Sequence, residues 1–334
     1  MRIKISIFFV LLAMASSSFA QVYDNYPNAI HKDNPSIIAW AKSCEVHRGY
    51  INIADTSQTF TSGGITSNRA FAGSPENACG KADGLSTVSL GDGGYAIVQF
   101  DKAIRDGEGF DFVVFENAFF VPPNSTETAF LELAFVEVSS DGENYFRFPC
   151  LSEMPYINQV GSFEETDWTK YHGFAGIFTH PYGVAFDLND IEDNELLDKQ
   201  NITHIKIIDV VGCIQAEFAS YDSHGNIINE PWPTPFHTGG FDLDALGVIN
   251  NTTNSIDDIY TSKISLFPNP ASNLVKIQSN QKPKKVKLFD LMGNMLLEIS
   301  DSDGFNIENL KSGIYIIKIY FDDNQIISKK LIRD

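Results

Sequence analysis

Apolar residues in this chain come in short runs cut off by Gly, Asp and Asn, and no segment carries a convincing apolar stripe at helical spacing. The clearest runs are 95–100, 110–116, 130–138, 203–211 and 241–249. Turn clusters lie at 91–94 (Gly-Asp-Gly-Gly), 106–109 (Asp-Gly-Glu-Gly), 140–143 (Ser-Asp-Gly-Glu) and 224–226 (His-Gly-Asn). This punctuation predicts an all-β fold, a sandwich or barrel. Two runs are apolar on both faces. In 130–138 the apolar set Leu131, Leu133 and Phe135 gives way to Val136 and Val138. Such a change of phase implies a bulge or a strand covered on both sides. In 203–211 Asp209 shares a face with Ile205 and Ile207. A carboxylate turned inward there needs a cation, an arginine or several donors.

The ends of the chain differ from its middle. Arg2 and Lys4 precede an apolar run from Ile5 to Met14, and Ser18-Phe19-Ala20 places small residues ahead of Gln21. That is the layout of a secretory signal peptide over 1–20. No later stretch approaches the roughly 18 unbroken apolar residues of a transmembrane helix, so no transmembrane segment and a soluble mature protein are expected. The polar stretch 251–263 reads as a linker between a main domain, 21–250, and a C-terminal domain, 264–334.

Net charge is −19, and it is unevenly spread. Residues 264–334 hold ten basic and eight acidic side chains, whereas 21–263 hold twelve basic and thirty-five acidic ones. Such a field repels nucleic acid and anionic lipid and favours cations, which removes nucleic acid as a partner. All four cysteines, Cys44, Cys79, Cys150 and Cys213, fall in the main domain, with no zinc-ligand spacing. In an exported protein an even count suggests two disulfides, Cys44–Cys79 being the favoured pair, with free buried thiols as the alternative.

The C-terminal segment opens Ile264-Ser265-Leu266-Phe267-Pro268-Asn269-Pro270 and passes through Lys285-Val286-Lys287-Leu288-Phe289-Asp290-Leu291-Met292-Gly293. It closes Leu310-Lys311-Ser312-Gly313-Ile314-Tyr315 and Lys329-Lys330-Leu331-Ile332-Arg333-Asp334. The series resembles the type A C-terminal sorting domain of the type IX secretion system of Bacteroidetes, a small Ig-like β-sandwich. The resemblance implies recognition by that machinery, export through the outer membrane, and a cell-surface or extracellular location. A second set comprises Gly80-Lys81-Ala82-Asp83-Gly84, Val88-Ser89-Leu90-Gly91-Asp92, Phe110-Asp111-Phe112-Val113-Val114-Phe115-Glu116-Asn117, Val136-Glu137-Val138-Ser139-Ser140-Asp141-Gly142 and Gly240-Phe241-Asp242-Leu243-Asp244. It is similar to bacterial surface proteins with a galactose-binding-like (discoidin-type) jelly roll. That fold hosts glycan binders, other ligand binders and passive domains.

Catalytic constellations are missing from the sequence: there is no G-x-S-x-G, H-E-x-x-H or phosphate-binding loop. Ser220, Asp222 and His224 are spaced for a hydrogen-bonded turn, since neighbouring positions of one strand cannot converge as a triad. Asp242 and Asp244, two apart on one strand face, are candidates for a shared Ca²⁺, with Asp111, Glu116 and the inward Asp209 as further oxygens. The alternative is a solvated strand start. The acidic run 187–195 lacks EF-hand order and reads as a solvated loop or short helix start. Trp232, Phe236 and Tyr221, with Asn226 and His237, lie in a proline-stiffened segment that could form a platform for a sugar ring, and Trp168 could form an opposite wall. These rings could equally staple the loop to the core. The expectation is a non-catalytic surface protein that captures a glycan or small nutrient, with a corrinoid such as cobalamin as another ligand. A secreted hydrolase of polysaccharide or protein and an adhesin or structural protein are the alternatives.

Overall fold

The computed structural model describes residues 23, 25–120, 128–252, 265–279, 282–290, 294–300, 303–321 and 326–334. The leader 1–20, linker residues 253–263, and Ile264 and 291–293 of the sorting motifs lie outside the described residues. The chain divides into two compact units, 1–252 and 253–334.

In the first unit two antiparallel sheets share one core. One sheet runs in the order Ala29–His31, Tyr182–Phe186, Phe112–Glu116, Asp242–Val248, Ala39–Trp40, with Val88–Ser89 also paired to Asp242–Val248. The other runs Phe146–Arg147, Ala134–Ser139, Ile202–Asp209, Tyr95–Ile104, Ser43–His47. Phe112, Val114, Leu243, Leu246 and Val248 of the first meet Ala96, Val98, Val136, Val138, Ile205 and Ile207 of the second in one buried cluster. Alternation along each strand turns these residues inward. Burying each such side chain contributes about 1.5–3 kcal/mol.

Phe112–Glu116 and Asp242–Val248 are buried along their whole length. The reason is a second apolar layer: Val113, Phe115, Ala185 and Ala245 on the outer face are covered by Ile30, Ile37, Trp40 and Phe110. The phase change in 130–138 has a different origin. Regular strand begins only at Ala134, and the preceding Phe130 makes an isolated bridge to Phe119. The two apolar phases therefore belong to two different backbone conformations. A register shift occurs instead in the closing strand, between Leu243 and Ala245 opposite Glu116 and Phe115.

Three other local readings resolve clearly. The Ser139–Gly142 turn closes on itself: Glu143 and Asn144 N–H groups donate to Asp141 (2.8 Å each), and Gly142 N–H donates to Ser139 Oγ (2.9 Å). Asp222 accepts the N–H groups of Ser152, His224 and Asn226 at 2.8–2.9 Å, so 220–226 is a hydrogen-bonded turn. The acidic run 187–195 begins with a short 3-10 helix, Leu188–Asp190, capped by Asp187. The two expected disulfides are not formed, because all four cysteines are free thiols. Burial, then the neighbouring Cys79, pushes the Cys44 thiol up to about 12.

The second unit pairs Ser265–Phe267, Leu274–Gln278 and Gly304–Asn306 in one sheet. Met295–Ser300, Lys285–Phe289, Gly313–Tyr320 and Ile326–Arg333 form the other. In Lys285–Phe289, Val286 and Leu288 enter the core with Ile317, Ile319 and Leu331. The alternate Lys285 and Lys287 both reach Glu298 at 3.2 Å.

Candidate functional site

The rim of the first unit holds a cleft of about 480 Å³ lined by Phe119, Phe130, Phe163 and Phe236, by Asn117, Ser162, Thr234 and Thr238, and by Glu132 and Asp242. The rings are paired: Phe119 stacks on Phe130 (5.4 Å), and Phe163 packs on Phe236 (5.4 Å). Phe163 is 77% exposed and Phe119 52% exposed. Together the two ring pairs give the cleft an apolar wall open to solvent.

The carboxyl groups belong to a larger buried set. Asp92, Glu116, Glu132, Asp209, Glu230, Asp242 and Asp244 are all buried. Elements on both sheets and the loop before the closing strand bring them together. Glu116 ends the strand Phe112–Glu116, Asp209 ends Ile202–Asp209, and Asp242 and Asp244 lie in the closing strand. Burial is the chief force on each. It lifts Glu116, Glu132, Asp209 and Glu230 well above the ordinary carboxylate range, and their mutual repulsion adds to it. Asp242 is raised to about 6 by burial, against the pull of Ser89, Asn117 and Arg48.

Most of these carboxyls are satisfied from within. Gly93 and Phe241 N–H groups donate to Asp209 (3.1 and 2.6 Å), so its inward carboxyl meets two backbone donors. Leu133 N–H donates to Glu230 (2.7 Å), and Ile53 N–H and the Trp232 indole donate to Asp92 (2.8 and 3.1 Å). Glu132 differs. It is 7% exposed, it faces the cleft, and among the described residues no donor reaches its carboxyl. Asp242 Oδ1 accepts from Ser89 and Oδ2 from the Asn117 amide (3.3 Å).

The bulge in the closing strand separates the two aspartates expected to work together. Asp242 faces the cleft, whereas Asp244 accepts from the Asp83 and Gly84 N–H groups (3.2 and 3.0 Å) and lies 3.9 Å from His180. Both are buried, so the strand does not start in solvent. Asp111 is remote from them in bonding. It accepts from Gly107 N–H, Leu188 N–H and the Asn250 amide at 2.8–2.9 Å, tying three loops. With Asp106 and Asp187 it forms the one group of three, among the described residues, whose oxygens lie close enough to share an ion.

Of the six expected platform residues the cleft gathers one, Phe236. Trp232 is 8% exposed and packs with Val211 and Cys213 beneath its loop. Trp168 is buried against Tyr23, Tyr26 and Phe178. His237 stacks on Phe60 (5.4 Å), Asn226 bonds Asp222, and the Tyr221 hydroxyl donates to Ala216 O (3.3 Å). Glu132, Phe119, Phe130 and Phe163 were missed. The available signal was the charge of Glu132 inside an otherwise apolar run.

Residues 265–333 match the secretion system C-terminal sorting domain. The chain is also similar to an ulvan lyase of Nonlabens ulvanivorans, 29% identical over 101 residues. That match covers 29% of this chain and 19% of the relative, so the chain spans about a fifth of the length of the curated relative it matches. No helix among the described residues is long and apolar enough to cross a membrane. The C-terminal unit is thus a sorting domain of the type IX kind, and it addresses this nearly all-β protein to the cell surface or extracellular space.

Proposed function

We propose that the first unit is a surface-displayed binding module for a neutral saccharide, held in the phenylalanine-lined cleft. One observation supports the reading: a buried carboxyl, Glu132, without a donor among the described residues, opens into a cleft walled by two pairs of phenylalanine rings, of which Phe119 and Phe163 are exposed. Rings take the apolar face of a sugar, and Glu132, Asp242 and Asn117 take its hydroxyls. Among the described residues no lysine or arginine lines the cleft, so an anionic sugar would meet carboxyl groups at its walls. A cleft of about 480 Å³ suits one or two sugar rings better than a corrinoid. The likeness to an ulvan lyase adds a polysaccharide context, and a galactose-binding-like jelly roll is the fold we assign to the unit. A Ca²⁺ ion at Asp242, completed by Asn117 and sugar hydroxyls, would supply the cation that this acidic floor lacks.

A second reading has a specific observation behind it. Two buried carboxyls facing one cleft, both raised by burial, are the equipment of glycosidic hydrolysis. A glycan array followed by calorimetric titration of the mature chain, with and without EDTA and with cobalamin as a further arm, tests the binding reading. Glu132→Gln and Phe163→Ala are expected to weaken binding of a neutral glycan by about tenfold each, roughly 1.4 kcal/mol. Absence of any saturable neutral glycan, or unchanged affinity in both folded variants, defeats it. Release of reducing ends that Glu132→Gln abolishes establishes hydrolysis instead.

A further inference from the structure

In a chain with forty-three acidic residues, Arg48 and Arg69 line one open pocket of about 470 Å³, and among the described residues neither makes an ion pair. Arg48 is fixed. Its guanidinium donates to the carbonyls of Ala72 (2.8 Å), Gly73 (2.7 Å) and Ser89, which orient the charge, and the buried Asp242 acts on it from the inner side. Arg69 is exposed, and its guanidinium carbon sits over the Tyr50 ring, 4.1 Å from its centroid. One of its nitrogens donates to Arg48 O (2.7 Å), leaving the rest of the planar fork with no acceptor among the described residues.

The frame around the two arginines is stiff. Asp92 N–H donates to Tyr50 O (2.7 Å), Tyr50 N–H donates to Asp92 O (3.2 Å), and Ala70 N–H donates to Gly49 O (3.2 Å). A Cβ at Gly49 would lie 2.2 Å from Asp92 O, so the backbone closes tightly there. Tyr95, stacked on His47 at 4.4 Å, supplies a second ring at the pocket. Among the described residues Asp92 is the one acid in the lining; it is buried, and its Oδ2 is engaged by Ile53 and Trp232.

We infer that this pocket binds the oxyanion of an acidic sugar, a carboxylate or a sulfate ester, with Arg69 as the grasping residue, Arg48 as a fixed second charge and Tyr50 and Tyr95 as ring contacts. A guanidinium seated over a ring, with a free edge, matches the two oxygens of such a group. The pocket is separate in composition from the phenylalanine cleft and shares none of its lining residues. The inference therefore stands whether or not that cleft takes a neutral sugar.

Titrations of the mature chain with glucuronate, glucose 6-sulfate and glucose, followed by calorimetry and NMR, test it. At least one of the two anions should bind saturably in the millimolar range, more weakly at high salt, and glucose should not compete for the site. Arg69→Ala should weaken that binding by tenfold or more, Arg69→Lys less, and Glu132→Gln should leave it unchanged. Arg69 is exposed, so both Arg69 variants should fold, which the NMR spectrum checks directly. Whichever anion binds identifies the group. The inference is overturned if neither anion saturates, or if Arg69→Ala binds as the parent does.

Discussion

At Glu132 two demands oppose each other. Burial and the neighbouring Asp242, Glu116, Glu230 and Asp209 hold Glu132 in its protonated form, which costs stability at a pH where the unfolded chain has lost that proton, and a neutral amide removes this cost. Glu132→Gln should therefore raise the thermal midpoint at pH 8 while lowering glycan affinity, a combination visible in one denaturation scan and one titration. Trp232 should do the reverse. Its indole N–H holds Asp92 and its ring fills a small core, so Trp232→Phe should cost about 1–3 kcal/mol of stability with sugar affinity intact; urea unfolding measures the first. Sequence alone could not separate these two residues. A tryptophan among prolines looks like a platform, and a glutamate in Leu131-Glu132-Leu133 looks like a solvent-facing strand position. Their roles depend on long-range packing that no local pattern records.

Among the elements, the closing strand is the one on which the site turns. Its approach through Gly240 has φ +72°, and a Cβ there would stand 2.6 Å from Asp209 Oδ1 and 2.7 Å from Gly91 N. Gly240→Ala should destabilise the unit by at least about 1–2 kcal/mol and disturb the cleft through Asp242; equilibrium unfolding and glycan titration of the variant give both effects. The strands at 95–100, 110–116 and 241–249 were readable because each carries continuous or alternating apolar residues between turn residues. The bulge between Leu243 and Ala245 was not, because it depends on pairing with Glu116 and Phe115 across more than a hundred residues. Without the bulge Asp242 and Asp244 look like partners; with it one serves the cleft and the other a loop. The lysine–valine alternation of Lys285–Phe289 was legible for the opposite reason, since one face meets a core and the other meets Glu298.

For the molecule as a whole, the buried acids set the response to pH. Asp242 has a folded value near 6, above its ordinary 3.8. Between those values the folded state keeps a proton that the unfolded chain has lost, so stability falls as pH rises, and the loss is complete above about 6. Glu116, Glu132, Asp209 and Glu230 act in the same direction. The transition of the first unit should come at a higher temperature at pH 5 than at pH 8. Each kcal/mol is worth roughly 2–4 °C for a unit of this size. Millimolar Ca²⁺ should recover part of the loss at pH 8 if an ion sits at Asp242, and none of it otherwise. The same carboxyl set makes unfolding near neutrality a reaction that sheds hydrogen ions into the medium. The heat of unfolding measured in Tris should therefore differ from that in phosphate by the released protons multiplied by the difference in buffer ionisation heats, which turns a calorimeter into a direct counter of the acids the fold keeps neutral.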